Sequence, residues 1–455
     1  MSEKIFKVKA VAIDDNGKGI VRVNNGTIFV DNLLEGEEGD IKTIYQFGKL
    51  KETKLLKRLT SSKFRVNPPC RYYSSCGGCS LMHLDYQAQL DYKRKKVQNL
   101  LHKFAHLDFE VSNTLGMEDP YHFRNKIQVP LGLDKKGKII SGFYKEGTHQ
   151  IVAQEECLIE SEVAKEILST VKSLLDKYHI PPYDEDRREG LVRHLIIRTS
   201  HHYKEASLTI VTSQDEFKGR SNLAKEIVRL CPIIKTVVQN INPRKTNVIL
   251  GEKERVLYGT GKIKDSIFGI DFLISAKSFY QTNPIQVEVL YKTAIDLAKL
   301  TKDDEVLDAY SGTGTIGLCL AKKVKRVTLV ELVKEAVKDG QINAKINNIT
   351  NAEFVNADCT KYILDNYKTK HFDVIFLDPP RKGSTKEFLD ACKTIAPSRI
   401  VYVSCNPVTL ARDLTYLLDK YEVKEVVPVD MFPHSAHVES VALLSLKEPK
   451  NEKIA

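Results

Sequence analysis

From residue 285 onward, apolar strand-like runs alternate with helix-length segments. The runs are 305–309, 326–330, 352–355, 372–377 and 399–403. This βαβ rhythm implies a doubly wound, mostly parallel sheet, because parallel neighbours need a crossover between them. Two further runs, 423–430 and 439–446, have no helix-length segment between them and are expected to close the sheet. In such a sheet, ligands bind at the carboxyl ends of the strands. Chemistry is therefore expected in the residues that follow each run.

The rest of the chain has a different texture. Residues 6–13, 19–23, 27–30 and 40–46 alternate apolar with polar, punctuated by Asp15-Asn16-Gly17 and Asn24-Asn25-Gly26. Five short strands within about 60 residues point to a small oligonucleotide-binding-type barrel. A basic run follows, with Lys49, Lys51, Lys54, Lys57, Arg58, Lys63 and Arg65. It reads either as a solvated linker or as a phosphate-contacting strip. Residues 81–104 carry a helical pattern. From 120 to 275 the chain is β-rich, with a hairpin signal at Asp134 to Gly137 and helices expected at 160–178 and 217–230. Three domains result: 1–60, 61–275 and 276–455. The fold class is multidomain α/β, with an N-terminal barrel, a central β-rich domain and a C-terminal Rossmann-like domain.

The first strand of the α/β part ends in Asp308-Ala309-Tyr310-Ser311-Gly312-Thr313-Gly314-Thr315. Glycine there lets the backbone approach a ligand beside a helix N-terminus. The run lacks the third Gly of a dinucleotide fingerprint and the Lys of a P-loop. Glu331 ends the second strand, where a carboxylate can accept both ribose hydroxyls of an adenosine. Asp358 and Asp378 follow the third and fourth. Three acids at successive strand ends favour an adenosine-containing cofactor without a phosphate cradle, and S-adenosylmethionine fits better than a dinucleotide.

The fifth strand runs into Ser404-Cys405-Asn406-Pro407. Pro407 forces a turn that presents Cys405 on the ligand edge. A thiol needs an electropositive setting to ionise, and Arg381 and Lys382 follow the neighbouring strand. Near the last strand, His434, His437 and Glu439 lie close in sequence, but His-x2-His-x-Glu is no recurrent zinc spacing. A carboxylate acting as general base is the sharper reading of Glu439.

Nine cysteines in 455 residues are no disulfide scaffold. Cys70, Cys76 and Cys79 are spaced C-x5-C-x2-C in a Gly- and Pro-rich loop, and Cys157 follows in an acidic context. Four thiolates suit zinc or a [4Fe–4S] cube. Cys231, Cys319, Cys359 and Cys392 read as packing. The Lys93 to Lys96 run and Arg187-Arg188 read as solvated faces. Net charge is +10, which permits a polyanion partner, and no stretch reaches the ~20 apolar residues of a membrane helix. A cytosolic setting is expected.

Gln281-Thr282-Asn283 after Phe279-Tyr280, then DAYSGTGTIG (308–317), DPPRKG (378–383), SCNP (404–407) and HVE (437–439), occur in one order. Together they resemble the RNA 5-methyluridine methyltransferases, specifically the branch acting on 23S ribosomal RNA. The resemblance implies that Gln281, Tyr310, Glu331, Asp358 and Asp378 contact S-adenosylmethionine. Thr315 stands where a relative has Asn, so that contact is carried with less support. It further implies that the Cys405 thiolate attacks C6 of uracil and that Glu439 removes the C5 proton. The cysteine loop resembles that branch's iron–sulfur loop, implying a [4Fe–4S] cluster on Cys70, Cys76, Cys79 and Cys157. The barrel resembles a TRAM domain, and the helix after the cysteine loop is expected to pack with the catalytic domain. Phe123-Arg124-Asn125-Lys126 resembles a motif near the RNA groove, which makes Arg124, Asn125 and Lys126 candidate RNA contacts; a solvated basic turn is the alternative. The partner implied is 23S rRNA with an unstacked uridine, with no membrane and no obligate protein partner. A tRNA 5-methyluridine enzyme, an RNA 5-methylcytosine enzyme and a non-catalytic rRNA assembly factor remain the rivals.

Overall fold

The computed structural model describes residues 2–23, 26–46, 49–145 and 148–448. Asn24 and Asn25 of the expected turn, and the side chains of Lys49 and Lys51, lie outside this description. Four sheets are present among the described residues.

The first sheet has five antiparallel strands in the order Gly26–Val30, Gly19–Val23, Ser2–Ile13, Glu38–Gln46, Lys49–Arg58. Its two edge strands also approach each other around a small core that includes Val8, Val21, Val30, Leu33 and Ile41. The first part of the basic run is therefore the fifth strand and not a linker. Arg65 is not offered to a polyanion. Its guanidinium is buried and donates to Glu37 Oε1 at 2.6 Å and Oε2 at 2.7 Å.

The helix spans Tyr86–Ala105 and starts later than its apolar pattern suggests. Asp85 explains the start: its carboxylate accepts from Gln87 N and Ala88 N, which caps the first turn. Leu81 to Leu84 precede the helix as a buried irregular segment. The 126–133 and 139–144 hairpin forms as expected, inside a seven-stranded sheet covered by helices Glu162–Lys177 and Arg220–Leu230.

The last sheet has the order Ala352–Asn356, Arg326–Glu331, Glu305–Ala309, Val374–Leu377, Arg399–Ser404, Glu439–Leu446, Tyr421–Val429. The first five are parallel, and the last two form an antiparallel closing hairpin. Strand order reverses beside Glu305–Ala309, which is the switch point where open α/β sheets bind ligands. Alternate residues feed cores on opposite faces. Val306, Phe376 and Val401 join one; Leu307, Ile375, Leu377 and Tyr402 join the other. Val97, Leu101 and Ala105 of the 86–105 helix lie in the second, so that helix packs on this sheet. No helix among the described residues is long and apolar enough to cross a membrane.

Candidate active site

At the switch point the strand Glu305–Ala309 ends in a turn that only special backbone geometry allows. Tyr310 has φ 62°, Gly312 φ 55° and Gly314 φ 80°. A Cβ at Gly312 would meet nothing within 4 Å, so the turn borders open space. Glu331 closes it from the next strand: Oε2 accepts Gly312 N at 3.0 Å and Oε1 accepts Val333 N at 2.7 Å. Asp358 caps helix Cys359–Asn366 through Lys361 N and stays exposed. Thr315 Oγ1 lies 2.9 Å from the Tyr291 hydroxyl. Gln281 is buried, and the Asn125 side-chain amide donates to its carbonyl. Tyr310 packs against Phe388. Tyr310, Thr315 and Glu331 thus lie at or against one turn, while Gln281 precedes helix Pro284–Ala298, capped by Asn283, and Asp358 and Asp378 follow neighbouring strands.

Asp308 escaped the sequence reading. It is buried beneath the turn, accepts Gly317 N at 2.8 Å, and burial raises its pKa to about 8. Its place at the head of DAYSGTG was the available signal.

Ser404 pairs with Ser440 across the antiparallel strands Arg399–Ser404 and Glu439–Leu446. Continuing that register brings Cys405 beside Glu439. Burial pushes the Cys405 thiol up to about 12; Glu439 and Asp378 add to the rise, and Arg381 opposes it. Burial raises Glu439 to about 8, with Asp378 adding and Arg381 again opposing. Asp378 itself is raised to about 7 by burial. Arg381 is the cation shared by this group, and it donates to His437 Nδ1 at 2.8 Å. The Arg381 loop is tied to the cysteine turn, because Asn406 Nδ2 donates to Arg381 O at 3.0 Å.

The Lys93 to Lys96 run is corrected in part. Lys93 is fully buried and pairs with Asp430 Oδ1 at 2.5 Å. Gln89, Lys93, Val97 and Leu101 form one buried i, i+4 stripe, so a Lys inside an apolar stripe was the sign of a buried partner. His434 is buried and hydrogen-bonded to Gln89 through its backbone N–H, not part of a ligand set.

Cys70, Cys76, Cys79 and Cys157 line one cavity of about 40 Å³, with Met82, Arg124 and Ile159 around them. Among the described residues no three His, Cys, Asp or Glu side chains converge on a single ion position. Gly78 N points at Cys76 Sγ, 3.4 Å away. Cys231, Cys319, Cys359 and Cys392 are buried. Of the expected RNA contacts, Arg124 lines the cysteine cavity and Asn125 is 4% exposed, while Lys126 lies half-buried on its strand.

The family model described as tRNA (Uracil-5-)-methyltransferase matches residues 238–447. An uncharacterized RNA methyltransferase of Oceanobacillus iheyensis is 42% identical over 98% of this chain and 97% of its own. One of Listeria innocua is 42% identical over 95% of each. The structure of the tRNA (uracil-54, C5)-methyltransferase of Pyrococcus abyssi, solved with S-adenosyl-L-homocysteine, is 28% identical with a TM-score of 0.77, covering 96% of this chain and 100% of that one. This chain belongs to the family of those RNA methyltransferases, and its residues 238–447 carry the uracil-5-methyltransferase match.

Proposed function

We propose that the protein methylates C5 of a uridine in RNA, with S-adenosylmethionine as donor, Cys405 as nucleophile and Glu439 as general base. The observation that carries this reading is the pairing of Ser404 with Ser440, whose continued register sets a thiol and a carboxylate side by side at the carboxyl end of strand Arg399–Ser404, with Arg381 acting on both. C5 of uracil is a weak nucleophile. Attack of the Cys405 thiolate on C6 forms a C6–S bond and moves electron density to C5. S-adenosylmethionine bound at the 310–315 turn would supply the methyl group. Glu439 then takes the C5 proton, the C5=C6 bond re-forms, and the C6–S bond breaks to return the thiolate. Arg381 favours the ionised form of both groups. The target base leaves its stack to reach Cys405.

The residues fit the donor. The open space at Gly312 leaves room for a ligand beside Tyr310 and Glu331; Gln281, Thr315, Asp358 and Asp378 complete the contacts we assign. The residues also fit a cube. Four thiols lining one cavity beside Met82, Phe123 and Ile159, with the Gly78 N–H aimed at the Cys76 sulfur, are the donor set we assign to a [4Fe–4S] cluster, with zinc as the alternative. Such a cluster would hold the loop's shape and supplies no electron that the transfer needs. We assign the first sheet as a TRAM-type RNA-binding domain, residues 61–275 as a central domain, and 276–455 as the catalytic domain, joined by the 86–105 helix. Asn125 serves this site by holding the Gln281 segment, leaving Lys126 as the RNA contact of its motif.

We assign 23S rRNA as substrate. The Pyrococcus enzyme favours a second reading, tRNA, because a protein named for tRNA spans the same length; the extra N-terminal domains therefore do not separate the two. Incubating the protein and S-adenosylmethionine with unmodified 23S rRNA and with unmodified tRNA, followed by nucleoside mass spectrometry, decides between them. 5-Methyluridine in rRNA alone supports the first reading and in tRNA alone the second. 5-Methylcytosine would overturn the base assignment. Metal analysis of anaerobically purified protein is expected to find about four irons per chain; stoichiometric zinc would overturn the cluster.

A further inference from the structure

Glu439 follows an irregular turn, residues 431–438, with His434 at φ 64°. That turn has few bonds of its own, those of Ser435 to Phe432 O and His437 N. Phe432, His434 and Ala436 present three backbone N–H groups and three carbonyls, and the segment 80–96, over three hundred positions away, engages five of the six directly. Lys93 Nζ donates to Phe432 O at 3.1 Å. Gln89 Oε1 accepts His434 N at 2.9 Å. Ser80 N and Leu81 N both donate to His434 O, at 3.0 and 2.9 Å. Ser80 Oγ accepts Ala436 N at 3.0 Å, and Lys96 Nζ donates to Ala436 O at 2.9 Å. The sixth group, Phe432 N, is held through Asp430, which itself takes Lys93 and the Tyr86 hydroxyl. Tyr121 stacks on the His434 ring, 4.8 Å between centroids.

Ser80 is the residue after Cys79. It reaches two alternate residues of the base turn at once, with its N–H on His434 and its hydroxyl under Ala436. We infer that Ser80 is a positioning residue through which the cysteine loop fixes the turn that carries Glu439, so that the cysteine site acts on one step of the reaction, proton removal and release of Cys405. The inference rests on the reading of Glu439 as base. Three features favour placement over general stability. The contacts converge on the turn that leads into Glu439, only three residues beyond Ala436. None of them is made to the Cys405 turn, which Asn406 ties to Arg381 O; the Arg381 side chain, through His437, is the link between the two turns. They are made to backbone groups, so they set the turn's position whatever side chains it carries.

The arrangement predicts a separation of steps. A misplaced nucleophile slows adduct formation. A misplaced base leaves adduct formation alone and slows its resolution, so covalent RNA accumulates.

The test uses full-length, iron-loaded protein and the variant Ser80→Ala, which keeps every cysteine. Iron content and the KM for S-adenosylmethionine are expected to be unchanged. Amide hydrogen exchange at Ala436, whose N–H loses the Ser80 hydroxyl as acceptor, is expected to quicken about tenfold, the size of one lost hydrogen bond. On a denaturing gel, adduct formation with substrate RNA should keep its rate while resolution slows about tenfold. Protein stripped of metal by a chelator should show the same faster exchange at Ala436. Unchanged exchange in both samples, or equal slowing of formation and resolution, overturns the inference. Exchange that quickens as expected while Glu439→Gln forms no trapped adduct would instead sink the base assignment and leave the contact between loop and turn standing.

Discussion

The two turns that meet at the active site are built in opposite ways. The nucleophile turn, 404–407, is local. Asn406 caps helix Pro407–Leu417 through Val408 N, Pro407 occupies the first helical position, and the Asn406 amide reaches one loop away to Arg381 O. The base turn, 431–438, has few internal bonds and is held by side chains of the 86–105 helix and by the cysteine loop. Local construction makes a reactive group legible from its neighbours in sequence. Remote construction ties a reactive group to the state of another part of the molecule.

The largest effect that can break this contrast comes from removing the two reactive groups themselves. Cys405→Ala should abolish turnover and leave no covalent RNA. Glu439→Gln should lower turnover by about 10²–10⁴ and trap covalent RNA, because general base catalysis contributes on that scale. A gel with no adduct in Glu439→Gln, donor present, would count against the division of labour. The pH profiles sharpen it. Burial raises Glu439 to about 8, and only its ionised form accepts a proton, so resolution should climb with pH and level off near pH 8. Burial raises Cys405 to about 12, so the thiolate fraction and adduct formation should keep rising beyond that point. Single-turnover rates measured separately for the two steps read both limbs. A resolution rate that is flat from pH 6 to 9 would reject Glu439 as the titrating base.

The same contrast explains what the sequence made legible. The parallel sheet, its closing hairpin and the acids at its strand ends were readable, because strand periodicity and the position after a strand are local properties. The positions of Cys405 and Glu439 at neighbouring strand ends were readable for the same reason. Lys93 was not. Its charge suggested a solvated face, yet it is buried because Asp430, 337 positions away, completes the pair. Ser80 and Gln89 were hidden similarly, since their partners are backbone groups of a turn that no local pattern links to them. Arg65 repeats the lesson, with Glu37 as its buried partner. Arg124 and Asn125 carry a motif whose neighbours in space are the cysteine cavity and the Gln281 carbonyl.

A smaller effect addresses the remote arm. Lys93→Met leaves Asp430 buried without its cation, which costs about 3–5 kcal/mol in comparable pairs. Urea unfolding should show that loss. Replacing both partners, Lys93→Met with Asp430→Leu, should recover most of it, because an apolar pair of similar volume needs no compensation. The double variant is the informative one. It is stable, yet it has lost the Lys93 bond to Phe432 O and the Asp430 bond to Phe432 N. Adduct resolution should stay slow in it while adduct formation is normal. If resolution recovers together with stability, the pair serves the fold alone and the base turn does not depend on it.

The smallest effect belongs to the local arm. Asn406→Ala removes a helix cap, a change that costs about 0.5–2 kcal/mol. It also removes the shorter of two bonds to Arg381 O, leaving the Thr409 hydroxyl as the other donor. Arg381 opposes the rise of the Cys405 pKa, so loosening its loop lowers the thiolate fraction. Adduct formation should therefore slow several-fold at neutral pH, and raising the pH should narrow the gap to the parent protein. Arg381 acts in the same direction on Glu439, which makes the comparison of steps demanding. Resolution should lag too, but only below about pH 8, where Glu439 is still partly protonated. Above that pH the two steps part, formation remaining slow and resolution becoming normal. A variant equally slow in both steps at high pH would mean that the two turns share one support, and the contrast between local and remote construction would fail.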